Sequence, residues 1–200
     1  MEKERTRIAT DMHDDLGAGL SRIKFLSETI GIKKQQQQPF EEDIIKIREY
    51  SHEMIDKMGE IVWALNEKND SLNDLLSYIR VYAAGYLSQN GISCKIEMPD
   101  NFPSRFLSGE FRRNVYLTIK EALHNVVKHS QATSVTITIR INDSLEITIA
   151  DNGIGFDKKN IRPFSNGLTN MQNRIKEIHG GFAILNEKGT SVKIIVPLQG

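Results

Sequence analysis

The sequence predicts an α+β protein: a helical hairpin in the first 66 residues, followed by a sheet domain with helices on one face. In the first segment, apolar residues recur at steps of three and four, which is typical of helices. In the second, several stretches alternate apolar and polar residues, which is typical of strands. Strands and helices intermix without a repeating β–α unit, so a sheet covered on one face is favoured over a doubly wound fold.

The first helix is predicted from one apolar stripe and the second from a heptad pattern. A tetraglutamine loop separates them, and Pro39 is placed to start the second helix. The stripe of the first helix is formed by Ile8, Met12, Leu16, Leu20, Ile23, Leu26 and Ile30. The heptad seam of the second is formed by Ile44, Ile47, Ser51, Met54, Met58, Ile61 and Leu65.

Two long amphipathic helices cannot bury both stripes by pairing once. We therefore expect two hairpins to associate into a four-helix bundle, which makes the protein a homodimer. The alternative is a single hairpin folded onto the C-terminal half of the chain.

The sheet domain is predicted to begin with a helix and to contain five strands. A hairpin turn at Asn142-Asp143 is expected because alternating segments flank these two residues. The predicted elements are a helix at 72–87, a strand at 92–98, a helix at 111–128, strands at 134–142 and 144–151, a helix at 168–180, and strands at 182–187 and 191–198.

Composition narrows the possible partners and location. Lys plus Arg and Asp plus Glu both number 26, so no net charge attracts nucleic acid or a membrane surface. The single cysteine, Cys94, suggests a reducing compartment. The charged first residues do not resemble a signal peptide, and no apolar stretch is long enough to span a bilayer.

The first candidate for chemistry is the pair His13-Asp14 on the first helix. His13 is one residue off the apolar stripe and is expected to be partly exposed. A neutral imidazole is a good nucleophile towards phosphorus, and a neighbouring carboxylate can take up or orient its proton. A surface histidine between acidic residues is the commoner meaning of such a pair.

The second candidate is the segment EALHNVVKH at 121–129. At helical spacing Glu121, Asn125 and Lys128 share one face, where they suit Mg²⁺ and phosphate oxygens. A solvated helix face is the simpler interpretation of the spacing. His129 is interpreted equally well as a phosphate contact or as the helix C-cap.

The third candidate is ADNGIGF at 150–156, directly after a strand. Gly153 and Gly155 permit positive φ and a close approach of backbone to a ligand. The carboxylate of Asp151 could accept a hydrogen bond from an exocyclic amine such as that of adenine. A tight turn with a side-chain cap explains the glycines equally well.

The fourth candidate is SNGLTNMQNR at 165–174, in which Gly167 leads into a helix. Free N–H groups at a helix start favour phosphate. Leu168 and Met171 could pack against a nucleotide, although core packing is their default interpretation. The glycines fit neither a dinucleotide-binding fingerprint nor a Walker loop.

Taken in order, these segments resemble the sensor histidine kinases that pair with response regulators carrying a LuxR-type DNA-binding domain. The resemblance covers almost the whole chain. It is carried by ERTRIATDMHDDLGAGL (the phosphoacceptor helix), EALHNVVKHSQAT (the N box), DNGIGF (the G1 box), GLTNMQNRI (the G2 box) and GTSVKIIVPL (the closing strand).

The resemblance implies a dimerisation and histidine phosphotransfer domain at 1–68 and a Bergerat-fold ATP-binding domain at 69–200. It implies autophosphorylation by ATP, followed by transfer to an aspartate of a response regulator. The implied roles are phosphoacceptor for His13, proton acceptor for Asp14, Mg²⁺ ligands for Asn125 and Glu121, phosphate contact for Lys128, adenine contact for Asp151, and a supporting hydroxyl for Thr190.

The resemblance also implies a lid at 157–166 with Arg162 as a phosphate contact, and a hinge near 66–70. One departure is Ala18, where many relatives have Gln or His, and it predicts little phosphatase activity. Upstream sensor and membrane segments are usual in the family. The chain is therefore interpreted as the cytoplasmic portion of an inner-membrane receptor, or else as a soluble member.

Two other functions fit parts of the sequence. One is an ATPase of the same fold in which Glu121 activates water, and the other is a non-catalytic dimeric scaffold that senses ATP. Both leave His13-Asp14 unused.

Overall fold

The computed structural model describes residues 2–66, 70–155, 166–186 and 188–198, with only the backbone for 2–15 and a few other helical positions. The chain divides into two compact units, Met1–Lys68 and Asn69–Gly200. The first unit contains two helices, and the second contains a five-stranded sheet with three helices in the part of it that the structure describes. The α+β class and the order of helices before sheet are confirmed.

The first unit is a helical hairpin of α1 (Glu2–Gln35) and α2 (Glu41–Leu65). Gly19 lies against Met54, which is buried, so closely that a Cβ atom at position 19 would overlap the thioether. Near the turn, Lys33 Nζ lies 2.5 Å from the buried carboxylate of Asp43. The Gly19–Met54 contact and the Lys33–Asp43 ion pair therefore both hold the two helices together.

The hairpin leaves many large apolar side chains exposed. Of the predicted heptad seam Met54 is buried, whereas Ile44 and Met58 are 50% and 53% exposed. The exposed set on the two helices is Leu20, Phe25, Ile32, Ile44, Ile45, Ile55, Met58 and Val62. One copy of the hairpin does not bury its own apolar surface.

The second unit is built on a mixed sheet with the strand order β1-β2-β3-β5-β4. The strands are β1 (Ser93–Glu97), β2 (Ser134–Ile141), β3 (Ser144–Asp151), β4 (Gly181–Asn186) and β5 (Thr190–Pro197). The predicted hairpin at Asn142-Asp143 is confirmed, because β2 and β3 pair antiparallel around it. β1 pairs parallel to β2, and the remaining neighbours are antiparallel.

One face of the sheet forms the core together with α3 (Leu72–Gln89), α4 (Gly109–Asn125) and α5 (Asn166–Glu177). Every second side chain is buried along the whole of β3 and along β2 from Val135 to Ile139. The largest fully buried side chains include Leu75, Leu76, Ile79, Leu87, Ile119, Leu123, Ile137, Leu145, Ile147, Met171 and Ile175. Each such side chain contributes roughly 1.5–3 kcal/mol by leaving water. No helix among the described residues is both long and apolar enough to cross a bilayer.

The predicted helix at 111–128 differs from the structure at its C-terminal end. α4 ends at Asn125, and residues Val126–Ser130 form a π-helical turn, here called the π-turn. The hydroxyl of Ser130 donates to the carbonyl of Val126 at 2.7 Å, inside this wider turn. Gln131 then ends the π-turn in the left-handed conformation, with φ 55°.

Candidate functional site

The end of α4 and the π-turn carry four predicted site residues. Glu121 and Asn125 are half-buried, whereas Lys128 and His129 are exposed. Lys128 lies in the π-turn, which is wider than an α-helical turn, so α-helical spacing does not set its position relative to Glu121 and Asn125. That all three residues share one face stays a prediction. The interpretation of His129 as a C-cap is wrong, because Gln131 occupies that position.

Ser130 links the π-turn to the glycine loop that follows β3, and the sequence analysis did not identify this role. Its carbonyl oxygen accepts a hydrogen bond from the Ile154 N–H at 2.8 Å. A Cβ atom at position 153 would overlap the same carbonyl, so Gly153 is required for close approach. Positive φ is found at Gly155 (80°) and not at Gly153.

Asp151 ends β3 with its side chain in the interior, 6% exposed. Its Oδ1 atom accepts hydrogen bonds from the N–H groups of Gly153 at 2.8 Å and Thr190 at 3.3 Å. Among the described residues, its Oδ2 atom accepts no hydrogen bond. The protein thus fixes the carboxylate of Asp151 through its Oδ1 atom.

The β4–β5 turn brings Thr190 to Asp151. Gly189, with φ 114°, lies so close to the Asp151 carbonyl that a Cβ atom there would overlap it. The contact that the structure gives to Thr190 is made by its backbone N–H. The supporting role that the sequence assigned to its hydroxyl stays a prediction.

Asn152 is a second residue whose role the sequence did not reveal. Its Oδ1 atom accepts from the N–H groups of Thr133 and Ser134, both at 2.9 Å, and its Nδ2 donates to the Thr133 hydroxyl. Asparagine often caps backbone groups that are near it in sequence. These partners instead lie at the start of β2, on the other strand of the β2–β3 hairpin. They become evident only once the register of that hairpin is known.

The start of α5 meets α4 at Gly167. A Cβ atom at position 167 would overlap Oε1 of Glu121, so the carboxylate lies against the first turn of α5. Leu168 is half-buried, and Met171 is fully buried, as its default interpretation as a core residue predicts. The N-box and G2-box segments are therefore adjacent.

This donor set fits a nucleotide with a bound cation. A buried carboxylate with a free oxygen suits the exocyclic amine of a purine, and the amide and carboxylate oxygens of Asn125 and Glu121 suit Mg²⁺. The described residues contain no group of three His, Cys, Asp or Glu side chains that could hold a metal ion. An Mg²⁺ ion here would complete its coordination with phosphate oxygens and water.

Several predicted residues fall outside what the structure describes. Helix α1 carries the backbone of His13 and Asp14, but their side chains lie outside the described residues. The predicted lid at 157–166, including Arg162, also lies outside them except for the helical backbone of residue 166, as do residues 67–69 of the predicted hinge.

His124 adjoins the site and has an altered pKa. It lies on α4 beside Asn125, and its ring meets that of Tyr86 edge-on at 6.2 Å between centroids. Burial lowers the pKa of His124, and the nearby Lys128 ammonium lowers it further. Both effects favour the neutral form of the imidazole in the folded protein.

We expect this neutral imidazole to make stability depend on pH. The folded pKa lies below the unfolded value of about 6.5, so the unfolded state binds the proton more readily. The contribution is fully present above about pH 6.5 and is lost as pH falls through the folded pKa. Urea unfolding at several pH values should show this loss in the wild type and a weaker loss in His124→Phe, which retains an aromatic ring. Identical pH dependence of the two proteins would contradict the assignment.

Two family descriptions match this sequence. Residues 4–71 match the histidine kinase family. Residues 111–200 match the family of histidine kinase-, DNA gyrase B- and HSP90-like ATPases. This range covers α4 from Phe111 onward, the π-turn, Asp151 and α5.

Curated relatives match over almost the whole chain. The sensor histidine kinase YvfT of Bacillus subtilis is 29% identical, covering 98% of this chain and 51% of its own length. The sensor histidine kinase DesK of the same organism is also 29% identical, with the same coverage. The nitrate/nitrite sensor protein NarX of Escherichia coli is 23% identical, covering 97% of this chain and 32% of its own length. The chain thus spans about half the length of the first of these relatives.

Solved structures with the same fold are also histidine kinases. The histidine kinase domain of a blue-light activated kinase from Erythrobacter litoralis has a TM-score of 0.56 at 16% identity, covering 95% of this chain and 94% of its own. The Acinetobacter baumannii histidine kinase AdeS has a TM-score of 0.60 at 13% identity, covering 94% and 98%. These likenesses concern the fold. The two family matches and the sequence relatives show that the chain contains the histidine kinase domain and the ATPase domain of a sensor histidine kinase.

Proposed function

We propose that this chain transfers the γ-phosphoryl group of ATP to His13 and then to an aspartate of a response regulator. The observation that carries the proposal is the buried Asp151 carboxylate, which the described part of the chain holds by two N–H groups, both bonded to Oδ1. Such a group recognises an amine donor on a ligand. The chain joins this ATPase-type domain to a helix with a His-Asp pair, and His13 of this pair is the proposed first acceptor of the phosphoryl group.

Each site residue has a proposed role in binding ATP. Oδ2 of Asp151 accepts the adenine amine, while Thr190 holds Oδ1 of the same carboxylate in place. Asn125 and Glu121 hold Mg²⁺, which neutralises phosphate charge when bound. Leu168 packs beside the nucleotide.

Two exposed side chains are assigned to the phosphates, and the glycines to a close approach of the backbone to the nucleotide. Lys128 and His129 lie on the π-turn, where they reach phosphate oxygens from solvent. Gly153, Gly155 and Gly167 let backbone approach the nucleotide, and Met171 supports this wall from the core.

The proposed chemical step is an in-line displacement. A ring nitrogen of neutral His13 forms a bond to the γ-phosphorus, the bond from that phosphorus to the β–γ bridging oxygen breaks, and ADP leaves. Asp14 takes the proton from the other ring nitrogen, so that the phosphorylated imidazole is neutral. The protein contributes mainly positioning and charge neutralisation.

Labelling with [γ-³²P]ATP tests this function. Phosphorus bonded to histidine nitrogen is labile in acid and stable in alkali, so the purified chain should acquire label with that signature. An ATPase of the same fold would release inorganic phosphate without labelled protein. An ATP-sensing scaffold would do neither.

We further propose that the protein acts as a homodimer through its helical hairpin. The apolar side chains exposed on α1 and α2 support this, because one hairpin leaves them in water. The protein that receives the phosphoryl group from His13 is proposed to be a response regulator with a LuxR-type output domain, as in the resembling family.

The proposed location of this chain is the cytoplasm, because both ATP and such a regulator are found there. The proposal includes upstream segments that attach the protein to the inner membrane.

We expect the double substitution Ile55→Glu, Val62→Glu to dissociate the dimer. Both side chains are 64% exposed on α2 and are seven residues apart, so they lie on the same face. Burying two carboxylates in the interface should raise the dimer dissociation constant by about a hundredfold or more. Sedimentation equilibrium measures it directly. The control Val81→Glu, at a position 74% exposed on α3, should remain dimeric; a dimeric double variant would contradict this interface.

A further inference from the structure

The chain enters the ATPase-type unit through a short segment that is fixed to the body of that unit. This connector, residues 70–72, follows the unit boundary at Asn69. The Leu107 N–H donates to the Asp70 carbonyl at 2.7 Å, and the Leu72 N–H donates to the Arg105 carbonyl at 2.9 Å. Ser71 forms a β-bridge with Phe106 between these two bonds.

The connector is also fixed at its C-terminal end. Ser71 is the N-cap of α3, and it forms a reciprocal capping box with Asp74. Leu72, the first residue of α3, is fully buried. Arg105 in turn donates to the carbonyl of Leu198, just after β5, at 3.0 Å. The connector is therefore bonded to α3 and, through Arg105, to the end of the sheet.

Within the described residues, the connector has a further contact, an ion pair with Arg112, which neither strand pairing nor helix capping requires. The guanidinium Nη2 of Arg112 lies 2.6 Å from Oδ1 of Asp70, and the two side chains are 3% and 23% exposed. A buried ion pair is weak evidence for stability, because a pair of apolar side chains often serves as well. What an ion pair supplies is a single relative position of its partners.

The position of Arg112 in the fold gives this contact a functional meaning. It lies in the first turn of α4, and the same helix ends at Asn125, a proposed Mg²⁺ ligand. Thirteen residues of α-helix span about 20 Å. One rigid element thus joins the point where the chain enters the unit to the proposed phosphate end of the ATP site.

We infer that Arg112 is a positioning residue for phosphoryl transfer to His13: it sets where the chain from the hairpin enters the ATP-binding unit. The inference rests on the proposed function, because the phosphoryl group must pass between the two units. Displacement of reacting groups by about 1 Å can reduce a rate by roughly a hundredfold. Arg112 contacts neither ATP nor His13 in this role, so ATP affinity does not depend on it.

The test compares wild type with Asp70→Asn and with the double variant Asp70→Ala, Arg112→Met. The double variant removes both charges of the pair together, which is expected to cost less stability than leaving either of them buried without the other. Three quantities are measured on the full chain: the initial rate of His13 labelling at saturating ATP, the affinity for a non-hydrolysable ATP analogue, and amide hydrogen exchange at Leu72 and Leu107. The matched control is Lys193→Met, Glu146→Gln, which removes a 2.7 Å ion pair on the sheet.

We expect both test variants to exchange faster at Leu72 and Leu107, to bind the analogue within twofold of wild type, and to label about tenfold more slowly or worse. A further variant, Arg112→Lys, retains the positive charge. It should label His13 faster than the double variant and more slowly than wild type. Faster exchange with an unchanged labelling rate would overturn the inference, since Arg112 would then serve stability alone. Loss of analogue affinity as large as the loss of rate would also overturn it.

Failure of the proposed function is distinguishable from failure of this inference. A wild-type chain that binds the analogue and takes up no label contradicts the proposed function. Unchanged exchange at Leu72 and Leu107 in the double variant contradicts the anchoring role of Arg112, whatever the labelling shows. The control pair should match wild type in all three measurements.

Discussion

The His13→Gln chain should acquire no acid-labile label from ATP, whereas the wild type does. Glutamine replaces the imidazole with an amide, whose nitrogen is not a nucleophile at neutral pH, so the initial rate should fall by about a hundredfold or more. The measurement is incorporation of ³²P under acid and alkaline treatment. Affinity for an ATP analogue should remain that of wild type, because His13 belongs to the helical unit.

The chain offers a matched control for this result. His52 is an exposed histidine on α2 of the same unit, and His52→Gln should label at the wild-type rate. Appreciable label on His13→Gln, or loss of label in His52→Gln alone, would show that the phosphoacceptor has been assigned to the wrong residue.

Asp151→Asn should weaken binding of ATP by about ten- to a hundredfold, which corresponds to a hydrogen bond to a charged group worth about 1.5–3 kcal/mol. The asparagine oxygen can still accept from Gly153 and Thr190. Its Nδ2 would then replace Oδ2 and present a donor to the adenine amine, which is itself a donor. Titration calorimetry with a non-hydrolysable analogue measures the change.

Glu146→Gln is the control for the loss of one carboxylate. Glu146 lies on the same strand, β3, but is paired with Lys193 at 2.7 Å. This variant should bind the analogue as wild type does. Equal affinity of Asp151→Asn and wild type would falsify the adenine-binding role of Asp151.

The fold was predictable where local patterns determine it. Asn142-Asp143 between two alternating segments predicts the β2–β3 hairpin, and the structure has it with the expected turn. The stripes of α1 and α2 are predictable for the same reason, since helical spacing is a local property. The parallel pairing of β1 with β2 was not evident, because it depends on a crossover through α4 and not on adjacent residues.

The candidate site was only partly predictable. Asp151 and Gly153 were identified from the sequence because their residue types are unusual at the end of a strand. The π-turn was not, since an α-helical pattern continues through Lys128 and the wider turn appears only with the Ser130 contacts. Ser130 and Asn152 act through partners that are distant in sequence or through main-chain atoms, which carry no residue-type signal.

The Ser130 carbonyl has a consequence for the energetics of ligand binding. Because it accepts a hydrogen bond from Ile154 and touches Gly153, it joins the glycine loop, proposed to bind adenine, to the π-turn, proposed to bind phosphate. Ordering one side reduces the conformational entropy that the other must lose. The two ends of a nucleotide are then thermodynamically linked, and linkage is reciprocal. Adenosine and tripolyphosphate bound together, as separate molecules, would each raise the affinity of the site for the other.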